Sequence, residues 1–331
     1  MVLINFTGGE QLLHSNLNDE SRKNSLMEQK KPFFSLIVPT YNRPKQLVIC
    51  LQSLTRLDYP RDQFEVIVID DGSDTSLQPV VDCFSNHLDL TLLNQIHAGP
   101  AAARNMGAER AKGVFLAFTD DDCIPAPDWL QKLAKHFTEV PEHAIGGRVL
   151  NALSKNPYAT TSQIIVDVAY VHYNVNPNLA RFFASNNLAV PAGPFHAIGG
   201  FDPTFRTAED REFCDRWQHH GFQMTYVPEA LIYHSNALNF RSFWRQHFNY
   251  GRGAYRYHQK RTQYGAGRFR PDLKFYRRLF FIPFMQERGI RVLRVTILLM
   301  ISQIANALGL FREWLGQIKK KQGGNISPKR V

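Results

Sequence analysis

The feature that most constrains this chain is a unit repeated through its first half. A short, nearly continuous apolar run stops at a polar or acidic cluster, and a helix-length amphipathic stretch follows. Residues 33–39 (FFSLIVP) lead into Thr40-Tyr41-Asn42, residues 65–69 (EVIVI) into Asp70-Asp71-Gly72-Ser73, and residues 114–118 (VFLAF) into Thr119-Asp120-Asp121-Asp122. Apolar runs this short, and rich in Val and Ile, read as buried strands. Between them, residues 45–57 place Leu47, Leu51 and Leu54 at helical spacing. Further helices are expected at 101–111 and 129–137, and a further strand at 88–93. The alternation predicts an α/β fold with a mostly parallel, Rossmann-like sheet flanked by helices. Ligands of such sheets bind beyond the carboxyl ends of the strands, so the three polar exits gather several carboxylates on one rim.

The chain continues less regularly. Strands are expected at 144–150 and 187–190, then the turn Gly199-Gly200-Phe201-Asp202, a helix from about Glu209, and extended segments at 224–227 and 231–234 separated by a Pro228-Glu229 turn. A length of 331 residues suits one sizeable core with an appendage. The expected organisation is a mobile tail over 1–31, a catalytic domain over 32–235 and a basic, mainly helical extension over 236–331. The four cysteines, Cys50, Cys83, Cys123 and Cys214, are widely spaced, which argues against a zinc knuckle or a disulfide framework and points to a reducing cytoplasm. The first six residues lack the basic start and long apolar core of a secretory signal.

Three consecutive aspartates at a strand end repel one another unless something compensates. A divalent cation does so, and hard carboxylate oxygens suit Mg²⁺ or Mn²⁺ held jointly with substrate phosphates. Taken alone, Asp120-Asp121-Asp122 also fits an acidic turn before a helix. Glu209-Asp210 fits charge placed at a helix N-terminus, Asp70-Asp71 an Asx-type turn, and His234 a satisfied histidine at a strand end. Their combination is more specific.

The strings SLIVPTYNR (35–43), VIVIDDGS (66–73), GPAAARN (99–105), FTDDD (118–122), GGFD (199–202) and the pair Glu209-Asp210 resemble, in order and spacing, the family 2 glycosyltransferases with the A-type nucleotide-sugar fold. The resemblance covers about residues 33 to 234. It implies an inverting transferase that uses a nucleotide diphosphate sugar, UDP-linked by analogy. Pro39, Thr40, Tyr41 and Arg43 would line the nucleotide pocket, Asp71 would bond the base, and Arg104 and Gly200 would lie near the donor. Asp120 and Asp122 look like the DXD pair, with Asp120 toward the ribose or metal, Asp122 on the metal and Asp121 in the variable middle position. Asp210, beside Glu209, resembles the catalytic base, and His234 would complete the metal site. Arg216-Trp217 follows the acidic pair too closely to be the separate QxxRW element of processive synthases, which favours addition of single sugars.

Charge is divided unevenly along the chain. Residues 236–331 hold 20 Lys/Arg against 3 Asp/Glu, whereas the preceding residues are net acidic although the whole chain carries +10. In the extension aromatics and cations interleave, as in Phe243-Trp244-Arg245 and Tyr255-Arg256-Tyr257, a composition suited to nucleic acid or, better here, to an anionic membrane surface. Residues 295–311 carry no charge for 17 positions but include Thr296, Ser302, Gln303 and Asn306. Ile297, Ile301, Ile304, Leu308 and Phe311 recur at helical spacing, with arginines at both ends. These features predict an interfacial amphipathic helix, against the alternative that the segment packs back on the domain or forms a dimer. The expected setting is the cytoplasmic face of the cell membrane, with a lipid-linked or envelope-destined acceptor. Two other classes fit parts of the sequence. A nucleotidyltransferase would carry a glycine-rich loop, and residues 39–44 contain no glycine. A non-catalytic binding protein using the basic arm leaves the acidic rim unexplained.

Overall fold

In the computed structural model, residues 31–263 and 272–323 are described. Residues 1–30 of the expected tail and the last eight residues lie outside them. From Phe33 onward the chain forms one compact unit.

β1 (Phe34–Thr40), β2 (Phe64–Asp70), β3 (Leu90–Asn94) and β4 (Phe115–Phe118) are mutually parallel, in the order β3-β2-β1-β4. All seven side chains of β2 are buried, as expected of a strand covered on both faces. On one face, Leu36 and Val38 of β1 pack with Leu47 and Leu51 of α1 (Pro44–Leu54) and with Trp129 and Leu133 of the 129–139 helix. On the other, Ile37, Ile67 and Ile69 meet Ala101, Ala103 and Ala108 from the 100–110 helix. That helix sits close because Gly107 faces the sheet: a Cβ there would lie 2.7 Å from Ile69 and 2.8 Å from Ile37.

The second half of the sheet is mixed. β5 (Cys123–Pro125), β6 (Ala144–Asn151), β7 (Leu188–Pro191) and β8 (Met224–His234) complete the order β4-β7-β6-β8-β5. β7 is antiparallel to both β4 and β6, and β5 is antiparallel to β8. The Pro228-Glu229 turn expected between two extended segments does not separate them. β8 runs through it, and the register against β6 jumps from Gly147↔Val227 to Arg148↔Leu231, so residues 228–230 bulge. Proline lacks a donor for the ladder, and a bulge is where a strand accommodates it. The bulged Ala230 carbonyl comes so close to β6 that only glycine fits opposite: a Cβ on Gly147 would lie 2.1 Å from it.

In chain order the helices are α1, α2 (Gln78–Asp82), α3 (Pro100–Arg110), α4 (Trp129–Glu139), α5 (Pro157–Tyr173), α6 (Ala192–Ala197), α7 (Glu209–His219), α8 (Phe240–Gln263), α9 (Leu273–Gln286) and α10 (Ile290–Gly323). The basic extension is helical and packs on the sheet domain. Asn249 of α8 accepts from the Thr207 hydroxyl (2.8 Å), Tyr257 donates to Asp215 (2.8 Å), and Lys260 pairs with Asp202. α10 crosses α8 at two glycines, where a Cβ on Gly251 would meet the Asn306 carbonyl at 1.8 Å and one on Gly309 the Phe248 carbonyl at 1.9 Å. Of the apolar face predicted for 295–311, Ile297, Ile304, Leu308 and Phe311 are turned outward, joined by Met300, while Ile301 is half-buried against Leu238, Phe243 and Leu298, and Val295, Leu299, Ser302 and Ala305 are buried. α10 therefore packs back through one face and presents a second apolar face to solvent.

Candidate active site

The carboxyl ends of β1, β2 and β4 open onto one edge of the sheet. Leaving β1, Thr40 is buried and donates its hydroxyl to Asp121 (2.8 Å). Asn42 adopts a left-handed conformation (φ 55°) and exchanges hydrogen bonds with Asp74, which ties the first loop to the second. Pro39 remains inside β1, opposite Ile69. Tyr41 is 42% exposed, and its ring lies 4.4 Å from that of His97.

Asp71 stands beneath this aromatic pair. Its carboxylate accepts from the Gln95 amide (2.7 Å) and from the backbone N–H groups of Ala98 (2.8 Å) and Gly99 (2.9 Å), and lies 3.0 Å from the His97 ring nitrogen. Asp71 thus holds the loop between β3 and α3. Sequence reading singled out neither Gln95 nor His97, because single polar residues after a weak strand give no pattern to read.

The three aspartates after β4 diverge in environment. Asp120 binds Arg104 (2.6 Å) and is the most exposed. Asp121 is buried, and its pKa rises to about 6: burial opposes its charge more than Arg43, at 3.2 Å, favours it. Burial acts on Asp122 as well, but the hydrogen bond and charge of His234 (3.2 Å), together with Arg43 (3.1 Å), outweigh it and leave its pKa below the usual value. His234 responds in the opposite sense, its pKa raised by Asp122 against the effect of burial. Pairing of β5 with β8 makes this contact, since it places Cys123 opposite His234 and lets the Ser235 N–H reach the Asp122 carbonyl (2.8 Å).

Among the described residues, Asp122, Cys123 and His234 form the one group whose ligand atoms could share a metal ion. Burial pushes the Cys123 thiol well above its ordinary range, and a hard cation such as Mg²⁺ or Mn²⁺ prefers the oxygen and imidazole donors to a thiol. Asp120 stands outside this group and is held by Arg104.

Arg104 connects the two acidic clusters. It is buried and spans from Asp120 to Glu209 (3.0 Å) at the start of α7. The next residue, Asp210, accepts from the Arg211 N–H (2.8 Å). Its pKa is raised well above the aspartate range, by burial first and by the charge of Glu209 second, with Arg211 and Arg104 opposing. The preceding Ala208 is left-handed (φ 66°), a conformation costly for a non-glycine residue and held here by the Thr207–Asn249 bond. Tyr250 of α8 lies near enough that, after burial, Asp210 and Glu209 are the next causes raising its pKa. The extension therefore lies against the loop that leads into the acidic pair, through Thr207 and Asn249, a contact that interleaved aromatics could not reveal.

Gly200 (φ 65°) lies where a Cβ would be 2.5 Å from the Asn105 side chain, and Asn105 exchanges two hydrogen bonds with Phe201. Arg216 binds Glu212 and the carbonyls of Ile198 and Gly200, so Arg216-Trp217 braces this loop from within.

Residues 35–213 match the glycosyl transferase family 2 domain. Glycosyltransferase AglE of Haloferax volcanii is 27% identical over 69% of this chain and 74% of its own length. The pre-mycofactocin glycosyltransferase of Mycobacterium tuberculosis is 28% identical over 66% of this chain but 46% of its own length. Chondroitin synthase of Escherichia coli is 30% identical over 66% of this chain and 36% of its own. The chain thus spans about half or less of the latter two relatives. The fold is similar to that of a mannosyltransferase from Pyrobaculum calidifontis solved with GDP-Man and Mn²⁺ (TM-score 0.62, 18% identity, 89% of this chain and 94% of that one). It is also similar to S. aureus TarS 1-349 (TM-score 0.51, 18% identity, 90% and 94%). With the family match covering more than half of its length, the chain belongs to glycosyl transferase family 2 and is a glycosyltransferase.

Proposed function

We propose that this enzyme transfers a single sugar from a nucleotide diphosphate, UDP in the first instance, to an acceptor hydroxyl with inversion at the anomeric carbon. One observation carries the reading: Arg104 joins Asp120, next to the candidate metal ligands, to Glu209, next to Asp210, whose pKa is raised. This link supports a reading in which donor phosphates and a proton-accepting group meet at one edge of the sheet.

Tyr41 and His97 offer an aromatic surface for the base. A base N–H donating to Asp71 would replace the Gln95 amide, the one side-chain amide among its partners. Asp122 and His234 suit a divalent cation, Mg²⁺ or Mn²⁺, as an oxygen and nitrogen donor set fixed by strand pairing. When bound, such an ion supplies charge neutralisation for the leaving diphosphate. Asp210 accepts the proton of the acceptor hydroxyl as that oxygen forms its bond to the anomeric carbon. The bond from that carbon to the diphosphate breaks on the opposite face, and the electron pair leaves with the nucleotide. A base with a raised pKa is better matched to a hydroxyl proton than an ordinary carboxylate.

The outward apolar face of α10, continued by Phe281, Phe284 and Met285 of α9, supports a peripheral position on an anionic membrane, at its cytoplasmic face, with an envelope glycan or glycolipid as acceptor. By length and composition, residues Ile290–Ile318 could also cross a bilayer. The interfacial reading is favoured because Glu313 on the same helix is buried against Arg252 and Arg256 of α8.

Calorimetric titration with UDP, GDP and dTDP, with and without Mn²⁺, tests the donor site. Metal-dependent binding of one nucleotide, lost in Asp122→Ala, is expected. A folded protein that binds none of them would overturn the proposal.

A further inference from the structure

Between α7, α8 and the segment following α5 lies a cavity of about 50 Å³. Three guanidinium groups line it, from Arg181, Arg211 and Arg261, against one carboxylate, Asp215. Arg211 is held in place by the Tyr173 hydroxyl (2.9 Å) and by three rings, Tyr173, Phe182 and Tyr257, whose centroids lie 5.3–5.8 Å from its guanidinium carbon. Arg261 binds Asp215 (2.8 Å), which also accepts from Tyr257 (2.8 Å). Arg181 is exposed, and its backbone N–H is fixed by Asn174 (2.9 Å). No carboxylate pairs with its guanidinium among the described residues.

A walled cavity with two cationic charges in excess has the chemistry of an anion site, and preorganised guanidinium groups favour tetrahedral oxyanions. His258, on the same wall, shows the potential. Its pKa falls to about 4, by burial first and then through the positive charges of Arg211 and Arg261. Position narrows the ligand. Arg211 directly follows Asp210, and at about 1.5 Å rise per residue Asp215 stands roughly 7–8 Å along α7 from it.

We infer that this cavity binds a phosphate ester group, placed about one to two helical turns along α7 from Asp210. The inference rests on the proposed role of Asp210 only for its meaning, since phosphate binding itself needs no donor. The same phosphate chemistry could come from a soluble phosphorylated acceptor or from a lipid headgroup.

The test follows the His258 imidazole resonance of the full-length protein by NMR, assigned with His258→Gln. Inorganic phosphate, glycerol 3-phosphate and phosphatidylglycerol vesicles are added in turn, with phosphatidylcholine vesicles as the control. The His258 titration midpoint is expected to rise when phosphate occupies the cavity. Arg181→Gln should weaken phosphate binding about tenfold, the scale of one charge-assisted contact, and Asp215→Asn should strengthen it. A response to soluble phosphates marks a soluble ester, and a response only to phosphatidylglycerol marks a headgroup. No movement of His258 with any of the three, or binding unchanged in Arg181→Gln, overturns the inference. Nucleotide binding with a silent His258 would remove this site and leave the donor site standing. A responsive His258 in a protein that binds no nucleotide would do the reverse.

Discussion

Replacing Arg104 by Met removes the connection between the two acidic clusters while keeping a long side chain on α3. Glu209 has a side chain only 10% exposed, and Asp120 has one 29% exposed. The first is left as a buried carboxylate without its cation, for which the cost is about 3 kcal/mol, the lower end for breaking a buried pair. Asp120 can turn to water, so its share is discounted to a few tenths. The expected loss is therefore about 3 kcal/mol at pH 8, read from urea denaturation with the m-value checked for constancy. Because Arg104 is among the charges that hold the Asp210 pKa down, its removal should also move the acid limb of the rate profile to higher pH. A variant within about 0.5 kcal/mol of the parent, with an unmoved rate profile, would refute the view that Arg104 couples the clusters.

Asp210→Asn should lower the transfer rate by about 10²–10⁴-fold, the usual share of a general base, with nucleotide affinity within twofold in the same calorimetric assay. In the parent enzyme the rate should rise with pH through a midpoint well above the ordinary aspartate value of about 3.9, because the base must be ionised and its pKa is raised. His247 is buried against Ser162, and its pKa falls to about 4, with burial as the cause. Its contribution is complete above the unfolded value of about 6.5 and is lost as pH falls toward 4, so His247→Gln should flatten the acid side of the stability curve over that window. Gly309→Ala should push α10 away from α8 at a net cost of about 1–2 kcal/mol, overpacking offset in part by helix propensity, and should speed amide exchange in residues 240–263. The double change Ile304→Glu, Leu308→Glu should abolish co-sedimentation with anionic vesicles, and retained binding would place the membrane contact elsewhere.

How much of this was readable in the sequence depends on whether the determinant was local. β1, β2, β4 and helices α1, α3 and α4 fall within a few residues of their expected bounds, because strands covered on both faces leave an uninterrupted apolar run and the polar exits mark their ends. Residues 151–186 gave no signal, although they include the 17-residue α5. Its apolar positions lie both against the sheet domain and against α9 and α10, which blurs the one-sided pattern of a surface helix. β8 was read as two pieces because Pro228 was taken at its local value, while pairing with β6 overrode it.

The same distinction governs the site. Asp71, Asp120, Asp122 and Asp210 stand in dense motifs and could be picked out. What each one contacts was decided by distant elements: β8 brings His234 to Asp122, and α3 brings Arg104 between Asp120 and Glu209. Three adjacent aspartates thus acquire three different electrostatic environments, one open to water, one tending to protonate and one held ionised by a histidine. The extension was expected to serve a membrane because of its charge and aromatic content, yet its first helix also braces the left-handed Ala208 through Thr207. Loss of that brace should reach the base before it reaches the membrane. A variant of Thr207 that cannot donate, Thr207→Val, should therefore slow transfer while leaving vesicle binding unchanged.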